Sequence, residues 1–292
     1  MSKKVSEITN FGVSVKTKLL NIARASGRDY NQIVTRYFQE RLLYRISVSR
    51  YHDCFYLKGG ALLYAIDQTS ARPTLDIDLL GHNISRDKAF LESVFKGICA
   101  IPFPEDGVTF DADTVTATEI MTERHYNGIN ITVQAHLDTI AQVVSMDIGF
   151  GDVVFPEPVP LDYPLFLDEM PVISINAYSL ETVVAEKFQT MIEKSVANSR
   201  MKDFYDVYTI LSEEKIDEAV LSDAIKSVFE NRGTVYVDGH PLFTEVFATD
   251  PGRVAMWNSF LRRIKYKGTL PFKDALLVIT AKLFPVWESM KN

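Results

Sequence analysis

Two aspartates stand inside a stretch that otherwise has the pattern of a buried strand. Residues 74–81 run TLDIDLLG, an alternating segment that ends in a glycine, and such alternation marks a strand. Side chains two apart on a strand point to the same face. Asp76 and Asp78 therefore flank one point, with Ile77 turned to the other side. Two like charges on one face repel and are costly to desolvate. Either that face is open to water, or something positive lies over it.

Around this feature the chain is that of an ordinary folded protein. Its 292 residues suffice for one large domain or two modest ones, and 47% are hydrophobic. No apolar run approaches the about 20 residues a membrane helix needs. The start, MSKKVSEITNFGVSVKTKLL, is too polar for a signal peptide. Cys54 and Cys99 show no metal-type spacing and are expected as small core residues, their thiols reduced in a cytoplasmic protein. The net charge of −7 is unevenly spread. Residues 1–58 carry 11 Lys+Arg against 4 Asp+Glu, residues 253–292 carry 8 against 2, and the stretch between carries 12 against 32. Basic ends of this kind are either a polyanion-binding surface or a set of solvated helix faces. The acidic middle suits a protein that recruits divalent cations.

The pattern changes twice along the chain. Residues 14–49 show helical spacing through Leu19, Leu20, Ile22 and Ala23, and then Ile33, Val34, Tyr37, Phe38, Leu42 and Leu43. ASGRDY divides them into two helices, with Gly27 as the stop. CFYLKGG reads as a short strand or extended turn, GALLYAID as a helix that begins at the glycines, and SRDKAFLESVFKGICA as an amphipathic helix with Ser85 as N-cap. VTFDADTVTATEIM, GINITVQAHLD and QVVSMDIGFGD are rich in β-branched residues and predict a three-stranded meander, with YNGIN as a hairpin turn signal. MPVISINAYS is a further extended piece. After Ser179 five helical segments follow, from LETVVAEKFQTMIEKSVAN to FKDALLVITAKLFPVWESM. The expected division is 1–178, N-terminal helices plus an α/β core, and 179–292, a helical C-terminal domain. No internal repeat is present.

Asp76 and Asp78 have partners in the sequence. Gly59 and Gly60 open a helix just before them, and Lys58 stands directly beside the glycines. Exposed N–H groups at a helix N-terminus bind anions, and glycines let a phosphate approach the backbone. Asp147, in VSMDIGFGD, shares a strand face with Ser145; it is a third cation ligand or a strand-end carboxylate facing water. A glycine turn, a D-x-D strand and a later aspartate are the parts of a metal-dependent nucleotidyl-transfer site. Two cations there clamp the attacking and leaving oxygens of a displacement at phosphorus. Arg72 is either a turn residue ahead of Pro73 or a phosphate contact. The five histidines form no ligand pattern.

The runs LKGGALL, RPTLDIDLLG, MDIGFGD, LETVVAEKF and KDFYDVYTIL, in this order, resemble the AbiEii/AbiGii family of nucleotidyltransferase-like toxins of abortive-infection, type IV toxin–antitoxin pairs. LLNIARASGRDYNQIVTRYFQERLLYRIS resembles the family's first helices, so the likeness covers nearly the whole chain. It implies an α+β fold, a polymerase β-like nucleotidyltransferase core with a mixed or antiparallel sheet, flanked by N-terminal helices and a helical C-terminal region. It implies transfer of a nucleotide from an NTP, with Mg²⁺ (or Mn²⁺) as cofactor and pyrophosphate as leaving group, onto an RNA acceptor, tRNA in related toxins. A cognate antitoxin encoded nearby and a role in phage defence follow from the same likeness. By position, Gly59, Gly60, Asp76 and Asp78 form the first motif and Asp147 the third carboxylate. Asp76, Asp78 and Asp147 then hold metal. Lys187 belongs to the next motif and Asp203 to the late acidic one, with Asp206 beside it. Lys58, Gly59, Gly60, Arg72 and Asp206 are the implied NTP contacts, and Asp76, Asp78, Lys187 and Asp203 the implied catalytic set. Gly59-Gly60 departs from the Gly-Ser of many nucleotidyltransferases, so a phosphate-binding hydroxyl is missing.

The residues themselves bear on two of these positions. Val183, Val184, Phe188 and Met191 make an apolar stripe, and Lys187 leans toward it. A lysine there neutralises phosphate, or snorkels its head into water. An ion pair along its own helix is disfavoured, because positions 183, 184, 190 and 191 hold no carboxylate. Asp203 and Asp206 share a helix face. They are a first-turn acidic cluster, or they orient Lys187 or serve as base for an acceptor hydroxyl. Three other readings compete with the whole: a GTP-preferring phosphotransferase, a nucleotidyltransferase that modifies protein, and a degenerate fold that only binds a partner.

Overall fold

The computed structural model describes residues 10–67, 74, 76–121 and 127–291. The chain forms two compact units. The first comprises Met1–Ile66, Thr74–Gly151 and Pro160–Ala177; the second comprises Asp67–Pro73, Asp152–Val159 and Tyr178–Asn292. No helix among the described residues is long and apolar enough to cross a membrane.

In the first unit, helices α1 (Phe11–Ser26) and α2 (Tyr30–Ser47) lead into β1 (Phe55–Lys58), α3 (Gly59–Ile66), β2 (Ile77–Gly81) and α4 (Lys88–Cys99). Strands β3 (Val108–Met121), β4 (Asn127–Leu137), β5 (Ile140–Phe150), β6 (Val159–Tyr163) and β7 (Ile173–Ala177) follow. The seven strands form one mixed sheet in the order β3-β4-β5-β2-β1-β7-β6. The meander β3-β4-β5 is antiparallel, β5 pairs with β2 in parallel, and β2 pairs with β1 antiparallel.

Local chemistry explains the element ends. α1 stops at Gly27, whose φ of 67° is left-handed, and Asp29 caps α2 by accepting from Gln32 N. α4 is capped by Asp87, which accepts from Phe90 N at 2.7 Å. The expected cap, Ser85, accepts from Asp87 N instead, so a serine two residues earlier ties down the turn while the charged acceptor takes the helix end. Asn127 and Gly128 fall inside β4, and Met121 pairs with Asn127. Residues 122–126, which join the two strands in sequence, lie outside the described residues. β6 has no counterpart in the sequence pattern.

One sheet face is covered and the other is polar. Ile77, Leu79, Met146, Ile148 and Ile131 are essentially inaccessible and share a face by register. Helix α2 covers that face: Thr35 Oγ1 donates to Gln142 on β5 at 2.9 Å, and the Arg45 guanidinium lies 5.3 Å from the Phe110 ring on β3. α2 itself is buried nearly all round. Its six expected apolar residues are core, and so are Gln39, Glu40, Arg41 and Arg45. Arg45 forks onto Asp106. Arg41 pairs with Glu40 at 2.6 Å, and burial pushes the Glu40 carboxyl up to about 7 against the pull of Arg41 and the Phe166 amide. Cys99 is a core residue and Cys54 a half-buried one, both unpaired, and burial pushes the Cys99 thiol up to about 12.

The second unit is helical: α5 (Leu180–Lys194), α6 (Met201–Glu213), α7 (Glu218–Asn231), α8 (Glu245–Thr249), α9 (Pro251–Arg263) and α10 (Phe272–Glu288). Ser179 caps α5, accepting from Thr182 N. An aromatic core joins α6, α9 and α10: Phe204 meets Phe272 edge-on at 5.3 Å, and Tyr205 and Trp257 pack with Phe260.

Candidate active site

The polar face of the first unit's sheet carries the carboxylates. In register, Lys58 on β1 stands opposite Asp78 on β2, Asp78 beside Asp147 on β5, and Asp147 opposite Asn130 on β4. These four form one row across four strands, on the face away from α2. Asp78, Asp147 and Lys58 are each partly exposed, so the face meets water, and the Lys58 cation stands opposite Asp78. Asp76 is exposed and stands in a bend one residue before β2 begins. Arg72 lies outside the described residues.

Asp147 is held in place. Asn130 Nδ2 donates to Asp147 Oδ1 and to Ser145 Oγ, each at 2.7 Å. One Asp147 oxygen is thus engaged. The sequence carried a signal for Asn130, because in GINITV it alternates with Ile129 and Ile131 and shares the polar face with Thr132. Asn130 nevertheless escaped the sequence-based expectations, which followed charges rather than amides.

Gly59 has a second reason to be glycine. Its φ is 65°, a left-handed conformation that side chains resist. A Cβ there would also fall 2.6 Å from Asp78 Cγ and 2.8 Å from Asp78 Cβ. The strand-to-helix turn thus presses bare backbone against the Asp78 side chain. Gly60 is buried in the first turn of α3.

All three candidate ligands are carboxylates, and hard divalent cations take oxygen ligands. Among the described residues no three His, Cys, Asp or Glu side chains are already gathered to hold a metal. The expected trio is therefore not assembled: Asp78 and Asp147 stand side by side on neighbouring strands, while Asp76, in the bend before β2, is not gathered with them. Two carboxylates are the number with which Mg²⁺ is bound when substrate phosphates complete its shell. The donor set present fits such an ion.

In the second unit Lys187 is clamped. Its Nζ donates to Asp203 Oδ1 at 2.9 Å and to Asp206 Oδ2 at 2.8 Å, with both carboxylates 2% exposed. The partners sit on α6 and Lys187 on α5, so the ion pairs link two helices rather than running along one. Arg200 binds the other oxygen of Asp203. Burial alone would raise the Asp203 carboxyl, but Lys187 and Arg200 outweigh it and hold the group well below the usual carboxylate range. So weak a base is poorly suited to take a proton at neutral pH. The geometry makes Asp203 a holder of Lys187.

A family model described as "Nucleotidyl transferase AbiEii toxin, Type IV TA system" matches residues 41–278, a span that contains both clusters. No curated protein matches the chain. Among solved structures, JHP933 from Helicobacter pylori is 11% identical, with 90% of this chain and 94% of that chain covered and a TM-score of 0.48. A second H. pylori protein, provisionally described as a nucleotidyltransferase, is 12% identical, with 90% and 97% covered and a TM-score of 0.46.

Proposed function

The chain belongs to the AbiEii family of nucleotidyl transferase toxins of type IV toxin–antitoxin systems, and from that premise we propose that it adds nucleotides from an NTP to the 3′ end of an RNA, tRNA foremost. The reaction depends on Mg²⁺ or Mn²⁺, takes place in the cytoplasm, blocks growth and serves phage defence. The family implies an antitoxin that opposes it. The observation that carries this reading is the row Lys58–Asp78–Asp147–Asn130 on an open sheet face, with Gly59 pressed on Asp78.

The chemistry is a displacement at phosphorus. The acceptor hydroxyl oxygen attacks the α-phosphorus of the NTP. The bond from that phosphorus to the bridging β-phosphate oxygen breaks, pyrophosphate leaves, and the hydroxyl proton is released. Bound divalent cations would supply Lewis-acid stabilisation of the charge that develops in this displacement. Asp78 and Asp147 supply the fixed oxygens that hold such ions, with Asp76 at the strand's entrance. The backbone at Gly59 and Gly60 and the charge of Lys58 bind phosphate in place of the missing serine hydroxyl. In the second unit, Lys187 contributes a point charge suited to phosphate, kept in one orientation by Asp203 and Asp206.

Purified protein incubated with α- or γ-labelled NTPs and total RNA or protein tests this. α-Label in RNA is the expected result. γ-Label in either acceptor would replace it with phosphotransfer, and α-label in protein alone with protein modification. Asn130 offers a sharper check on the site. Asn130→Ala frees Asp147 and is expected to weaken Mn²⁺ binding about tenfold or more, read by titrating Mn²⁺ into wild type and variant, with the thermal midpoint unchanged.

A further inference from the structure

We propose that a cleft between α6 and α9, wholly within the second unit, binds the phosphate backbone of the RNA acceptor; this rests on the RNA reading above. The cleft has a volume of about 620 Å³. Arg200, Lys202 and Arg263 line it together with Ser199, Ser259 and Phe260, and no carboxylate does. Three cations stand around one opening, Arg200 among them also paired with Asp203 behind the wall, in a chain whose net charge is −7. A chain so acidic overall repels a polyanion everywhere except where cations are concentrated. The cleft is such a place, and it lies at the junction with the basic C-terminal stretch.

The cations are arranged in advance. The Arg263 guanidinium lies 5.6 Å from the Phe260 ring centre, a cation–π contact that orders a long side chain. Arg200 is held by its ion pair to Asp203, yet its side chain is 46% exposed. Guanidinium groups match phosphate oxygens in pairs, while Ser199 and Ser259 add hydroxyls and the exposed Met256 adds apolar surface for a sugar or base, with Phe260 buried beneath. RNA is favoured over a small anion because the opening is lined from two helices and holds several separated cations.

The position has a chemical meaning. Asp203 binds Arg200 with one oxygen and Lys187 with the other. The wall of the cleft is therefore one carboxylate away from the lysine assigned to phosphate. An RNA strand drawn to Arg200 shares Asp203's cation and bears directly on the residue that holds Lys187.

The test uses the full chain and a fluorescent tRNA transcript, with anisotropy read between 50 and 200 mM KCl. The Lys202→Ala/Arg263→Ala double variant is compared with a Lys273→Ala/Lys282→Ala control, which removes two exposed lysines paired with Glu245 and Glu218. The cleft variant is expected to bind about tenfold or more weakly and to flatten the dependence of log Kd on log salt by about 1 to 2. The control is expected to stay within about twofold of wild type, since surface pairs contribute little. Equal affinity and slope in the two variants, or no binding by wild type, would overturn the proposal. α-Label transfer is followed in the same samples. Cleft-dependent RNA binding without nucleotide transfer supports the cleft and overturns the transferase chemistry; transfer with cleft-independent binding does the reverse.

Discussion

Gly59→Ala is expected to remove nucleotide transfer almost completely while the chain still folds. Two separate penalties fall on the same methyl group. The left-handed backbone at φ 65° costs a non-glycine residue about 1–2 kcal/mol. The new Cβ also enters the space of Asp78, 2.6 Å from its Cγ, so the carboxylate must turn away. Displacing a reacting group by about 1 Å costs on the order of 10²-fold in rate. The expected result is a hundredfold or greater fall in kcat with a stability loss of about 1–3 kcal/mol. Gly27→Ala separates the two effects. Gly27 has nearly the same φ, 67°, and nothing within 4 Å of its would-be Cβ. It should lose similar stability and keep its activity. Initial rates and urea titrations on both variants decide the matter; equal activity in the two would mean that contact with Asp78 is irrelevant.

Lys187→Met is the second large effect. The substitution keeps the length of the stem and removes the charge between two buried carboxylates. Removing one partner of a buried ion pair costs about 3–5 kcal/mol, because the other charge is left uncompensated. The loss should depend on pH in a definite direction. In wild type the Asp203 pKa is depressed, so its contribution is fully present above the unfolded value of about 3.9 and is lost as pH falls through the folded value. Without Lys187 the largest cause of that depression is gone, and the variant's Asp203 carboxyl takes up its proton at higher pH. The stability gap between wild type and Lys187→Met is therefore widest near pH 7 and narrows toward pH 4. Urea unfolding at the two pH values measures it. A gap that stays constant would mean that the clamp is not electrostatic.

Much of this site was legible before any coordinates. The two-residue alternation in TLDIDLLG and SMDIG put Asp78 and Asp147 on strands with one polar face, because period two is imposed by the pleat. It does not say which strands are neighbours, so the register of Asp78 with Asp147 was not readable. Lys187 was suspect because its own helix offers no carboxylate at the right spacing. Its actual partners lie on the next helix, a tertiary contact that no local spacing encodes. Asn130 was missed because a neutral amide is silent until the acceptor beside it is known. The buried charges of α2 were missed for the opposite reason. Glu40, Arg41 and Arg45 look like an ordinary solvated face, and only the burial of the whole helix turns them into internal pairs. At the element ends, Ser85 and Asp87 are both good caps by type, and the hydrogen bond from Phe90 decides between them.

The central claim is that Asp78 directs nucleotide transfer onto RNA. Induced expression of wild type and of Asp78→Ala at matched levels, followed by sequencing of tRNA 3′ ends, tests it most directly. The expected result is tRNAs with added 3′ nucleotides and arrested growth in the wild-type culture alone. Identical 3′ ends in the two cultures, with growth arrested in the wild type, would contradict it.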